Sequence, residues 1–138
     1  MRKAFVIIST LLLVSFVLQF AFAAVGAFTK PAGEGAYALH SVNGMAVIPV
    51  LTLLTTLFAA LAKAPGRVIG LAILPLGLVV VQVLIAVLAN AFTDAAGAST
   101  PIGLTIAALH ALNGIVAVHV VVSVLRAARR LGGPAEAV

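Results

Sequence analysis

Two histidines sit in matching surroundings in this chain. The segment Pro31-Ala-Gly-Glu-Gly-Ala-Tyr-Ala-Leu-His40-Ser-Val-Asn43-Gly44 aligns without gaps with Pro101-Ile-Gly-Leu-Thr-Ile-Ala-Ala-Leu-His110-Ala-Leu-Asn113-Gly114. Proline, glycine, alanine, leucine, histidine, asparagine and glycine recur at the same offsets. Upstream, Gln19 and Gln82 are each followed four residues later by alanine, at Ala23 and Ala86. Spacings of three and four residues share a helical face, so His40 stacks with Asn43 and Gly44, and His110 with Asn113 and Gly114. Two imidazoles from different helices at one depth are a chemical opportunity, because a haem iron takes one nitrogen on each face of its ring. Haem b is therefore the expected cofactor, with His40 and His110 as iron ligands. Asn43, Asn113, Gln19 and Gln82 are expected to orient the rings, and Gly44 and Gly114 to permit a close approach by a helix or a flat ligand.

The structural alternative is equally specific. Polar side chains inside a membrane bundle often do no more than hydrogen-bond helix to helix, typically for under about 1 kcal/mol each. Zinc is a further candidate ligand, although two histidines without an acidic or thiolate partner make a poor tetrahedral set. The chain has no cysteine, which removes disulfides, thiolate metal sites and covalent haem attachment. Its three acidic residues, Glu34, Asp94 and Glu136, fall in loops or the tail, and no nucleophile constellation, paired carboxylate or phosphate-binding glycine loop is present. No catalytic residue is identified, and an enzymatic role is not expected. Ion conduction lacks a charged ring or filter motif.

The elements that must position these groups follow from hydropathy. Of 138 residues, 64% are hydrophobic and 8% charged, and the mean hydropathy is +1.31. Soluble domains are nearer half apolar and a quarter charged, so lipid is the expected solvent. Four runs reach the roughly 20 apolar residues that a membrane helix needs. They cover about 4–28, 35–62, 68–92 and 101–126, followed by a polar tail at 127–138 that Gly132, Gly133 and Pro134 should keep from continuing as helix. The runs lack the alternation of a membrane barrel. The expected fold is an all-α four-helix transmembrane bundle, one membrane domain spanning 1–138. A signal peptide ending near Ala21-Phe-Ala23 is a weaker reading of the first run, which is longer than a signal core.

Of the eight basic residues, Arg2, Lys3, Lys63, Arg67, Arg126, Arg129 and Arg130 fall on one side of such a bundle and Lys30 on the other. Under the positive-inside rule both termini are cytoplasmic, in a multi-pass protein of the plasma membrane. The formal charge of +5 is thereby a topology signal, and nucleic acid is not an expected partner. The lipid bilayer is, with a quinone or respiratory-chain proteins as further partners.

Each repeat unit is a helix pair that crosses twice, so the copies run parallel and an axis along the membrane normal relates them. His40 and His110 each follow their proline by nine residues. If each proline opens its helix, both rings lie on the order of 10 Å inside the outer boundary, at 1.5 Å per residue. His119 lies about 13 Å deeper and half a turn out of phase with His110. It aligns with Pro49 and reads as a packing histidine, with proton transfer or quinone contact as the sharper role. Pro49 and Pro75 should kink the second and third helices.

The Leu18-Gln19-Phe20 run, His40-x-x-Asn-Gly44, the basic turn at Arg67, Val81-Gln82 and Leu109-His110-Ala-Leu-Asn113-Gly114 together resemble a bacterial, actinobacterial-type family of small four-helix membrane proteins catalogued as a domain of unknown function. That resemblance covers roughly Arg2 to Leu131 and implies topology, not activity. In architecture alone the paired histidines are similar to four-helix b-type cytochromes and haem A synthase, which implies a haem site. The sequence thus leaves two readings. One is a cytochrome-like protein binding one haem b for electron transfer or haem handling. The other is a non-catalytic subunit or assembly factor whose buried His, Asn and Gln fix helix packing. Transport through a wet cavity lined by Gln19 and Gln82 is a third.

Overall fold

The four apolar runs become four helices. The computed structural model describes residues 1–31, 33 and 35–132. Helix α1 spans Arg2–Phe28, α2 Ala38–Leu61, α3 Gly66–Ala91 and α4 Pro101–Gly132. Each is long and apolar enough to cross a membrane, and among the described residues no strand forms beyond one bridge between Thr93 and Ser99. The physical reason is that a bilayer offers no water to backbone N–H and C=O groups, and a helix satisfies them within itself. Hydroxyls on the spans are absorbed the same way. Ser9, Thr10, Thr52, Thr55 and Thr56 each donate to the carbonyl four residues earlier at 2.7–2.9 Å.

Two boundaries differ from the sequence reading. Helix α2 begins at Ala38, not near residue 35, because Gly33 and Gly35 favour turns over helix: Ala36 N–H bonds Gly33 O and Ala38 N–H bonds Gly35 O. Pro31 therefore does not open its helix, although Pro101 opens α4. Helix α4 continues past Arg126 to Gly132 and carries Arg129 and Arg130 in its last turns, where cations complement the helix dipole. The expected stop at Gly133 and Pro134 lies outside the described residues.

Helix α1 packs on α2 and α4, and α3 packs on α2 and α4. Helices α2 and α4 thus occupy one diagonal and α1 and α3 the other. The interior is layered. Phe5, Ala59, Ala72, Val124 and Ala128 fill the end nearest the termini, and Leu12, Phe16, Ile48, Ala117 and Val121 fill the middle. The third layer, toward the 29–37 and 92–100 loops, is polar. Outward-facing Val17, Leu53, Leu84, Val87, Ile102 and Leu112 are each more than half exposed, a surface suited to lipid and not to water.

Local geometry breaks the repeat twice. Residues Asn43–Val47 form a π-helical turn in which Ile48 N–H reaches Asn43 O. Pro49 has no N–H to continue the ladder, so the wide turn falls just ahead of it. Pro75 lies inside α3 and is buried. The α2–α3 turn is a Schellman cap, with Ala64 N–H bonded to Ala59 O and Lys63 N–H to Ala60 O. Lys63 pays for that cap with φ 57°. Lys63→Gly is expected to raise stability by about 1 kcal/mol in detergent melts, while Lys63→Ala leaves it unchanged. Equal melting of Lys63→Gly and wild type would contradict this account of the turn.

Candidate functional site

The polar layer gathers all eight residues that the duplication singled out. Gln19 lies on α1, His40, Asn43 and Gly44 on α2, Gln82 on α3, and His110, Asn113 and Gly114 on α4. In each half the glutamine and asparagine form the same clamp. Gln19 Nε2 donates to His40 O at 3.0 Å, and Asn43 Nδ2 donates to Gln19 Oε1 at 2.8 Å and to Ser15 O at 3.0 Å. In the second half Gln82 Nε2 donates to His110 O at 2.6 Å, and Asn113 Nδ2 donates to Leu78 O at 2.9 Å and to Gln82 Oε1. Ser15 and Leu78 both stand four residues before their glutamine, so the two clamps are geometric copies.

Across the bundle the clamps bring the two imidazoles together. The ring centres of His40 and His110 are 6.2 Å apart, with their planes inclined at 39°. Depth is therefore shared even though only one helix begins at its proline. The rings are held differently. His40 Nδ1 lies 3.1 Å from Gln19 O, an acceptor only, so the proton sits on Nδ1 and Nε2 keeps its lone pair. That Nε2 is 3.2 Å from Gln19 Nε2. The ring of Tyr37 packs against His40 edge-on, with centroids 6.2 Å apart. Among the described residues the His110 ring makes no side-chain hydrogen bond; its contact is with the backbone of Gln82.

The asparagines bond the glutamines and the backbone, not the rings; of the four amides expected to orient imidazoles, only Gln19 touches one. The glycines accept protein groups. A Cβ on Gly44 would meet Gln19 Nε2 at 2.6 Å, and one on Gly114 would lie 3.4 Å from Phe20 Cζ.

A cavity of about 370 Å³ opens beside the rings. Seven of the eight residues line it; Asn43 lies behind, buried against α1. Its walls are mostly apolar, from Phe16, Phe20, Leu78, Val79 and Val83, with Ser41 and Asn90 adding polar groups. Sequence reasoning passed over Ser15, which donates to Asn43 Oδ1 at 2.8 Å, and Tyr37, Phe20 and Asn90. Tyr37, the single tyrosine, falls one helical turn before His40, a signal that spacing could have supplied.

His119 is not a packing histidine of this bundle. It is exposed on the outer surface of α4, in a shallow notch with Leu71, Val116 and Ser123, because it lies two residues beyond inward-facing Ala117 and so points away from the core. Among the described residues no group of three or more His, Asp or Glu side chains could hold a metal ion, so His40 and His110 stand as a pair.

No curated protein matches the chain, and no solved structure matches it either. The profile of a family of unknown function, DUF6220, matches residues 19–91, a narrower stretch than the resemblance read from the motifs. It runs from Gln19 through the His40 motif and the basic turn to Gln82 and the end of α3. Since that stretch is more than half of the chain, this four-helix membrane protein belongs to the DUF6220 family of unknown function.

Proposed function

We propose that this membrane protein holds one haem b between His40 and His110 and serves electron transfer or haem handling. The observation that carries the reading is the 6.2 Å between the two ring centres. Two metal–imidazole bonds of about 2 Å each, plus roughly 1 Å from each nitrogen to its ring centre, add to about 6 Å. Diagonal helices supply the two rings, and these imidazoles are the groups that would hold the iron of a haem bound between them. The His40 Nδ1 contact to a backbone carbonyl is the arrangement that metal-bound histidines commonly show, since it fixes the tautomer and raises ligand basicity. The cavity volume lies in the roughly 300–1,000 Å³ range of cofactor pockets. Ligation by His40 Nε2 requires the Gln19 carboxamide to give up its 3.2 Å contact, while its bond to His40 O stays in place.

Bound there, haem supplies a one-electron couple. The electron partner is a quinone in the bilayer or a respiratory-chain protein. Seven of eight basic residues share the end that carries the termini, which supports cytoplasmic termini and a plasma-membrane setting, with the site in the outer half.

The test is an absorption spectrum of the detergent-purified protein, oxidised and then reduced with dithionite. A sharp reduced α-band is expected, lost in the double variant His40→Ala/His110→Ala while circular dichroism stays helical. A folded protein that stays colourless after growth with added haem would refute the proposal. It would favour the second reading, a non-catalytic subunit or assembly factor. That reading has its own support: the two clamps are complete without any ligand, and no fully buried side-chain polar atom among the described residues lacks a partner.

A further inference from the structure

Helix α4 stands at a corner of the bundle with α1 and α3 on its flanks, and among the described residues nothing covers the face it turns away from α2. That face carries a regular seam. Ala108, Leu112, Ile115, His119, Val122 and Arg126 follow one another at alternating spacings of four and three residues, so they run as one line along the helix. Leu112 and Ile115 are each more than half exposed, and His119 and Arg126 are exposed in line with them. His119 is the residue that does not suit lipid. It lies seven residues short of Arg126, about 10 Å further into the membrane at 1.5 Å per residue. An imidazole is too short to reach the headgroups from there, as lysine and arginine do near helix ends. Among the described residues its ring makes no hydrogen bond, and Ser123 Oγ, one turn on, donates to the His119 carbonyl at 3.0 Å and not to the ring. A polar ring left unpaired in hydrocarbon is costly, so its partner must come from outside the chain.

We propose that this seam is a homodimer interface, in which α4 packs against α4 of a second copy and His119 hydrogen-bonds its counterpart. Identity of the two chains supplies the match. Copies of one sequence insert with one orientation, so two α4 seams run parallel about a two-fold axis along the membrane normal, and His119 meets a histidine at its own depth. A neutral imidazole carries one donor and one acceptor, and two of them complement each other. A single polar residue in an otherwise apolar seam also fixes its register. The notch that His119 shares with Leu71, Val116 and Ser123 leaves room beside the seam for the partner's side chains. A quinone would use one hydrogen bond at the notch but leave the apolar line at Leu112 and Ile115 uncovered. The pairing involves neither His40 nor His110 and holds with or without haem.

The chain has no cysteine, so single introduced cysteines report proximity without background. In membranes treated with copper phenanthroline, Ile115→Cys should form a disulfide-linked dimer. Leu53→Cys on α2 and Leu84→Cys on α3, at comparably exposed positions, should not. In a second arm, full-length wild-type chains labelled at the N-terminus with donor or acceptor dye are mixed in liposomes, and energy transfer should follow a monomer–dimer equilibrium as lipid is added. His119→Leu should raise the dissociation constant about three- to tenfold, the size of one interhelical hydrogen bond, and His119→Asn, which keeps a donor and an acceptor, should restore it. Wild-type energy transfer no greater than that of randomly distributed chains overturns the proposal and leaves the notch to lipid or a quinone. Cross-linking at Leu53→Cys and Leu84→Cys as strong as at Ile115→Cys also overturns it, and so does wild-type affinity in His119→Leu. The wild-type arm depends on no variant folding.

Discussion

Asn43→Leu should destabilise the bundle about twice as much as Asn113→Leu, although the duplication makes the two residues equivalents. Asn43 is buried, donates to Gln19 Oε1 and Ser15 O, and accepts from Ser15 Oγ. Leucine at this position leaves Gln19 Oε1 without its donor and Ser15 Oγ without its acceptor. Asn113 is only half-buried, and Leu78 stands where Ser15 does, so one fewer side chain loses a partner. Unsatisfied buried groups cost about 1–3 kcal/mol, while single polar contacts within membranes average nearer 0.6 kcal/mol, which puts Asn43→Leu at about 2 kcal/mol and Asn113→Leu at about 1 kcal/mol. Thermal or denaturant unfolding in detergent reads the difference. Removing both partners of a bond costs less than removing one, so Gln19→Leu/Asn43→Leu should recover part of the loss. Identical melting of Asn43→Leu and Asn113→Leu would show that the Ser15 contact carries no weight.

Gly103→Ala should be among the most damaging conservative changes in the chain. Helix α4 crosses the end of α3 so closely that a Cβ at Gly103 would lie 2.6 Å from Phe92 O and 3.1 Å from Ala89 O. Both obstacles are backbone. The adjoining loop is pinned: Thr100 Oγ1 donates to Phe92 O at 2.6 Å and accepts from Gly103 N–H at 3.1 Å, and Asp94 Oδ1 accepts from Ala96 and Ala98 N–H. Relief requires moving α4 relative to α3, a repacking that costs about 1–3 kcal/mol. Gly70 is the control: no neighbour lies near its Cβ position, and Gly70→Ala should be neutral or stabilising by up to about 1 kcal/mol through helix propensity. Gly44→Ala falls between them, because its obstacle is the movable end of Gln19. If Gly103→Ala and Gly70→Ala melt together, the close crossing is not a constraint on the fold.

The four spans, the all-helical class and the duplicated His/Asn/Gln set were legible from residues alone, because hydropathy and repetition are one-dimensional signals. Apolar runs longer than a bilayer is thick leave the backbone no alternative to helix. Two copies of His-x-x-Asn-Gly identify a shared layer without any knowledge of packing. The helix starts were less legible: Pro31 and Pro101 look alike in sequence, yet Gly33 and Gly35 turn the first copy into a loop before Ala38. His119 was misplaced because α4 has little polar contrast with which to phase its faces.

What the tertiary structure decided was how the polar groups divide their hydrogen bonds. Glutamine and asparagine carry both donors and acceptors, and spacing cannot say whether they serve an imidazole or the neighbouring backbone; close helix contact assigned most of them to the clamps. Only packing could reveal that Phe20 lies against Gly114 while Gln19 presses on Gly44 and reaches the His40 ring. The sequence by itself determined that two imidazoles share a level in a membrane bundle. Their 6.2 Å separation arises from packing between helices, which no local pattern records.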